Sequence, residues 1–71
     1  MMKYIHTNLG IILFPVFISH AEMAEHFENK VYSAGFVSFD YESIDCYGKS
    51  ESLKLHSAPF DTKLLRIMAE L

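Results

Sequence analysis

The segment Ile18-Ser19-His20-Ala21-Glu22-Met23 carries a full set of signals for the start of a helix. The Ser19 hydroxyl can accept from the backbone N–H of Glu22, and Glu22 can reach back to the N–H of Ser19. Ile18 and Met23 hold the positions of a hydrophobic staple. These signals divide an apolar N-terminal third into a strand and then a helix. The run from Leu9 to Phe14, bounded by Asn8 and Pro15, suits a central strand, and Pro15 ends its ladder. The helix is predicted over His20 to Glu28. Met23, Ala24 and Phe27 share its apolar face, Glu22, Glu25 and Glu28 its wet face, and Asn29 is its stop.

Residues 31–39 alternate as a second strand, in which Gly35 suggests a bulge or a close approach by another element. Asp40-Tyr41-Glu42-Ser43 reads as a turn, and Ile44 to Tyr47 as an antiparallel return strand. Leu53 to Leu55 reads as a fourth short strand. A second helix starts near Ser57 or Ala58, with Pro59 in its first turn, where a missing N–H is harmless. Phe60, Leu64, Ile67, Met68 and Leu71 form its apolar stripe. Asp61, Lys63, Arg66 and Glu70 are then expected in solvent. The order expected is β-α-β-β-α. It makes an α+β fold, a small, mainly antiparallel sheet with two helices packed on one face. At 71 residues the chain makes one domain, residues 1–71.

Composition narrows the function. At 51% apolar residues the chain is too hydrophobic to be disordered. A core this small leaves little room for a buried active site, so a binding role stands ahead of an enzymatic one. The net charge of −3 is uneven: −1 over residues 1–35, −3 over 36–52 and +1 over 53–71. There is no basic stripe, which argues against binding to a phosphate backbone. The lone cysteine, Cys46, rules out an internal disulfide and favours a reducing compartment. Lys3, the apolar run and Ser19-His20-Ala21 outline a secretory signal, but Pro15 interrupts the run and His6, Thr7 and Asn8 dilute the charged region. The apolar run is also short of the about 20 residues of a membrane span.

The reactive residues do not assemble into a known motif. His20 and His26 lie on different sides of their helix. Glu22 and His26 can share a face, but two ligands do not make a metal site. Gly48-Lys49-Ser50 matches the end of a phosphate-binding loop, yet Ser43 stands where the first glycine is required. Gly48-x-Ser50-x-Ser52 lacks the second glycine of a nucleophile elbow. Cys46 falls in a strand pattern and has no assignable base. No catalytic residue, metal or cofactor is therefore expected. The middle of the chain is aromatic, with Tyr32, Phe36, Phe39, Tyr41 and Tyr47. Beside acidic residues this pattern suits core packing and a protein-contact patch. Asp40, Tyr41, Glu42, Asp45, Tyr47 and Glu51 are the expected partner-binding residues.

His6-Thr7-Asn8-Leu9-Gly10, Phe14-Pro15, Ser33-Ala34-Gly35-Phe36 and Cys46-Tyr47-Gly48-x-Ser50-x-Ser52-Leu53 together resemble small uncharacterised proteins encoded by bacteriophages and prophages. The resemblance brings no site residues. It implies a cytoplasmic location in a bacterial host cell. It also implies an accessory role in binding a host protein complex, of the inhibitory, anti-defence or anti-CRISPR kind. The expected function is a non-enzymatic protein-interaction module. The alternatives are a nucleic-acid-binding regulator and a small homodimeric structural protein.

Overall fold

The N-terminal residues alternate in character and build the strand at the middle of the sheet. In the computed structural model, which describes residues 1–27 and 30–70, strand β1 covers Met2–Thr7. A two-residue turn at Asn8-Leu9 returns the chain into β2, Gly10–Phe14. Gly10 makes this possible, because its φ of +111° is one that side-chain-bearing residues rarely adopt. Helix α1 follows over His20–Glu25, then β3 over Val31–Phe39 and β4 over Ile44–Tyr47. A two-stranded ribbon, β5 (Lys49–Ser50) and β6 (Leu55–His56), leads to helix α2 over Pro59–Ala69.

The main sheet is antiparallel throughout, in the order β2-β1-β3-β4. The α+β class and the antiparallel sheet are as the sequence indicates, and β3, β4 and the turn between them fall where expected. The element order is instead ββαββββα: β1 and β5 are additional strands, and the fourth strand expected at Leu53 to Leu55 lies at Leu55–His56 as β6, paired with β5 rather than with the main sheet. The two helices do not share a face. Successive side chains of a strand point to opposite sides. Accordingly, Tyr4, Ile11 and Val37 pack with Leu64 and Leu65 of α2, while Ile5, Phe14 and Ala34 pack with Met23 of α1 and the adjacent Phe27. Val31, Leu53 and Leu55 fill out the second cluster. The cause lies in β1. It is apolar or aromatic on both sides at Tyr4 and Ile5, so each side needs its own cover.

Ser19 caps α1 as expected: it has an extended backbone, and its hydroxyl accepts from Glu22 N at 3.0 Å. Ile18 and Met23 of the staple both reach the core. The expected continuation to Glu28 and the stop at Asn29 lie outside the described residues, as does Leu71 of the second stripe.

Helix α2 is rotated relative to its apolar pattern. Phe60, Ile67 and Met68 keep 57%, 49% and 40% of their surface exposed, whereas Asp61 is fully buried beside Leu65. Moving the buried line one position along a helix turns it by about 100°. A carboxylate normally resists such burial. Here it is the hydrogen-bonded anchor that sets the rotation.

Gly35 marks a close approach rather than a bulge. A Cβ there would meet the Tyr47 carbonyl oxygen at 2.5 Å and Ser57 Cβ at 3.3 Å. The chain thus crosses directly over β3 as it passes from the ribbon to α2.

Candidate functional site

Polar side chains gather at a buried carboxylate beneath α2 and in surface grooves, two of which take the expected partner-binding residues. The first is held by Asp61, the third residue of α2. Its Oδ2 accepts from the Ala58 backbone N–H at 2.9 Å, from Ser33 Oγ at 2.6 Å and from the Tyr4 hydroxyl. Its Oδ1 takes His6 Nδ1–H at 3.0 Å. Burial alone would raise the Asp61 pKa, but the hydrogen bonds from Ser33, Tyr4 and Ala58 and the charge of His6 outweigh it and hold the carboxyl below its usual range. Burial and the Asp61 hydrogen bond push the Tyr4 phenol up.

Ser33, His6 and Asp61 have the composition of a hydrolytic triad but not its geometry. In a triad the imidazole stands between serine and carboxylate. Here the serine hydroxyl donates straight to the carboxylate, and His6 Nδ1 is 3.5 Å from Ser33 Oγ. Ser33 is buried as well. The cluster is an acceptor hub that fastens α2 to β1 and β3. Cys46 is half-buried on β4, and burial raises its thiol pKa. The described residues contain no group of three or more His, Cys, Asp or Glu placed to hold a metal ion. None of the described helices is long and apolar enough to cross a membrane.

The expected partner-binding residues divide between the two grooves. Asp40, Tyr41 and Glu42 lie at the β3–β4 turn, all exposed. They line a groove of about 320 Å³ closed by Ser43, Ile44 and the last turns of α2, including Arg66 and Glu70. The turn is closed by Asp40 N–H donating to Ser43 O at 2.8 Å and steadied by Tyr41 N–H donating to Asp40 Oδ1 at 2.7 Å. Asp45 sits behind it and is occupied: it accepts from Arg66 Nη2 at 3.1 Å and from Ser43 Oγ at 3.0 Å.

Tyr47 and Glu51 belong to the other groove, of about 580 Å³. Strand register builds its floor. Phe14, Lys3, Phe36 and Tyr47 are consecutive cross-strand partners through β2, β1, β3 and β4, so they form one row on the α1 side of the sheet. The Phe36 and Tyr47 rings stack at 6.1 Å and 30°, and the His20 ring stands edge-on to Phe36 at 5.6 Å. Ser19 and His20 form one wall, and the segment from Gly48 to Ser52 forms the other. Lys3 Nζ donates to Ile18 O at 2.9 Å, and Lys49 Nζ lies 4.0 Å from Glu51 Oε1, both of the latter pair well exposed. His20 Nε2–H donates to the Gly35 carbonyl at 2.8 Å, which leaves Nδ1 as an acceptor. Burial lowers the His20 pKa, and the charge of Lys3 adds to the effect, so the ring is neutral.

Lys3, His20 and Phe36 are not among the expected site residues. The β3–β4 hairpin pairs Phe36 with Tyr47, Lys3 joins them only through the β1–β3 register, which depends on recognising β1 as a strand, and His20 joins through the packing of α1 on the sheet. No protein-family model, curated protein or solved structure matches this chain, so the geometry alone carries the functional reading.

Proposed function

We propose that the protein is a non-enzymatic interaction module that binds a basic surface of a partner protein through the β3–β4 turn and the adjoining end of α2. The observation that carries this reading is the charge balance of the groove at the β3–β4 turn. Asp40, Glu42 and Glu70 surround Tyr41, whose side chain is wholly exposed. The cation in the same groove, Arg66, is spent on Asp45 and on the Ile44 carbonyl, to which its Nε donates at 3.1 Å. Among the described residues no cation pairs with Asp40, Glu42 or Glu70, which leaves their charge to a basic partner, and an exposed tyrosine among charges is a common interface anchor. The resemblance to small phage proteins adds a class of partner: a host complex whose work is blocked on binding.

The test is a pull-down from bacterial lysate, followed by binding rates of the captured partner to wild type and to the double variant Asp40→Lys/Glu42→Lys. Asp45 is spared because it holds Arg66. Complementary charge acts mainly on the association rate and is screened by salt. The variant should associate more slowly at low salt and lose the salt dependence. A folded variant with wild-type rates at both salt levels would refute this surface.

One observation favours a second reading, the homodimer. Phe60, Leu64 and Ile67 recur at helix spacing, and the outer ones are exposed. Light scattering that shows a dimer in wild type and a monomer in Ile67→Glu would establish it; a wild-type monomer would dismiss it.

A further inference from the structure

The larger groove combines features that the acidic turn does not use. Its floor is a pair of stacked aromatic rings at the surface, and Tyr47 is 43% exposed. Two lysines line it, Lys3 beside Phe36 in the floor row and Lys49 on the wall. At about 580 Å³ it falls within the range of roughly 300–1,000 Å³ typical of small-molecule sites. Gly48 keeps it open: its φ is +79°, and a Cβ there would press on the Phe36 ring at 3.2 Å. His20 is 4% exposed yet lines the groove, and no described residue bonds its Nδ1. Among the described residues no side-chain polar atom is both buried and without a partner, His20 Nδ1 included.

We propose that this groove is a binding site for a small planar aromatic molecule bearing one anionic group, the class represented by a nucleoside monophosphate. The ring lies on Phe36 and Tyr47, where any flat aromatic gains by stacking. The anionic group meets Lys3, whose ammonium keeps two N–H groups beside the one on the Ile18 carbonyl, and Lys49, which exchanges its 4.0 Å contact with Glu51 for the ligand. His20 Nδ1 accepts from an N–H of the ring. Burial keeps His20 neutral, so the acceptor persists at neutral pH. The incomplete phosphate loop at Gly48-Lys49-Ser50 is no obstacle, since a single anion on two lysines needs no loop to cradle a triphosphate. The overall charge of −3 selects a free small molecule over a nucleic-acid strand, whose further phosphates would meet an acidic surface.

The test is a titration of the ¹⁵N-labelled protein, followed by NMR, with adenosine monophosphate, adenosine, inorganic phosphate and a short single-stranded oligonucleotide. Adenosine monophosphate should shift the amide signals of Phe36, Tyr47, Gly48 and Lys49 saturably. Adenosine and phosphate alone should each bind about tenfold more weakly, and the oligonucleotide no more tightly than the mononucleotide. Tyr47→Ala should weaken binding about tenfold, the usual effect of losing one stacking platform. Lys49→Ala, at an exposed position, should remove the preference for the monophosphate over adenosine without touching the fold. Shifts that fail to saturate at millimolar concentration, shifts confined to the β3–β4 turn, or unchanged affinity in a folded Tyr47→Ala would each overturn the site. Should Tyr47→Ala fail to fold, Tyr47→Leu replaces it, and wild-type affinity in both Tyr47→Leu and Lys49→Ala would overturn the site equally. Tighter binding of the oligonucleotide would overturn the small-molecule assignment. None of these outcomes depends on the acidic turn.

Discussion

Tyr4 and Asp61 lie 57 positions apart in the chain and share one hydrogen bond, the phenol donating to a carboxylate that solvent does not reach. The bond ties the first strand to the last helix, and Ser33 and His6 complete the coordination of the same carboxylate. Four donors meet an acid that has room for about that many. The buried charge is therefore fully satisfied, which is the condition under which a small core tolerates one.

Removing the acceptor should be severe. In Asp61→Ala the Tyr4 and Ser33 hydroxyls and the Ala58 N–H lose their partner within the fold. Each buried unsatisfied group costs about 1–3 kcal/mol. A chain of this size holds only about 3–5 kcal/mol of stability. Asp61→Ala should therefore be largely unfolded at 25 °C by circular dichroism. Asp61→Asn, which keeps an acceptor oxygen, should fold but lose part of the urea midpoint. A cooperative, wild-type-like transition in Asp61→Ala would show that the hub is dispensable.

The rotation of α2 makes a paired prediction. Leu65→Ala empties a buried site and should cost about 2–5 kcal/mol. Ile67→Ala trims an exposed side chain and should stay within about 0.5 kcal/mol. Urea denaturation of the two variants decides between this face and the Phe60–Met68 stripe, for which the order of effects would be reversed.

That stripe shows where sequence stops being informative. Hydrophobic spacing marks the existence and start of α2, because Pro59 and the periodic leucines are local signals. It misplaces the buried face, because Asp61 is drawn inward by Tyr4, His6 and Ser33, and those contacts depend on the tertiary fold. The strand Met2–Thr7 escapes notice for a similar reason. Its Lys3 and His6 are read against the charged region of a secretory signal and not as strand residues, although Lys3 reaches the Ile18 carbonyl and His6 reaches Asp61. The short-range features are legible throughout: the Ser19 cap, the β3–β4 turn and the special role of Gly35. The larger groove is not, since its floor is a row of cross-strand neighbours drawn from β1, β3 and β4.

The cap itself is open to measurement. The Ser19 hydroxyl satisfies the Glu22 N–H, so Ser19→Ala should lower stability by about 1 kcal/mol and Ser19→Asp should be nearly neutral. Thermal or urea midpoints of the two variants check this. Equal losses in both would assign the effect to the groove wall, on which Ser19 also lies, rather than to the cap.

Acid should weaken the protein in two stages. His20 is held neutral by burial against Phe14 and Phe36, with Lys3 adding to the effect and Glu51 the acidic group in the same groove. Its folded pKa lies below the unfolded value of about 6.5. As pH falls below about 6.5 the unfolded chain takes up a proton that the native state refuses, so stability declines from there down to the folded pKa. Asp61 acts lower. Its folded pKa is depressed below the ordinary value of about 3.9, so its contribution is complete above that pH and is lost as pH drops below it. Urea midpoints from pH 7.5 to 3 should show a gentle slope beginning near neutrality and a steep loss in the acid range. His20→Gln should flatten the first slope and leave the second in place. If the variant keeps the wild-type slope between pH 7 and 5, the decline does not come from the histidine under the groove.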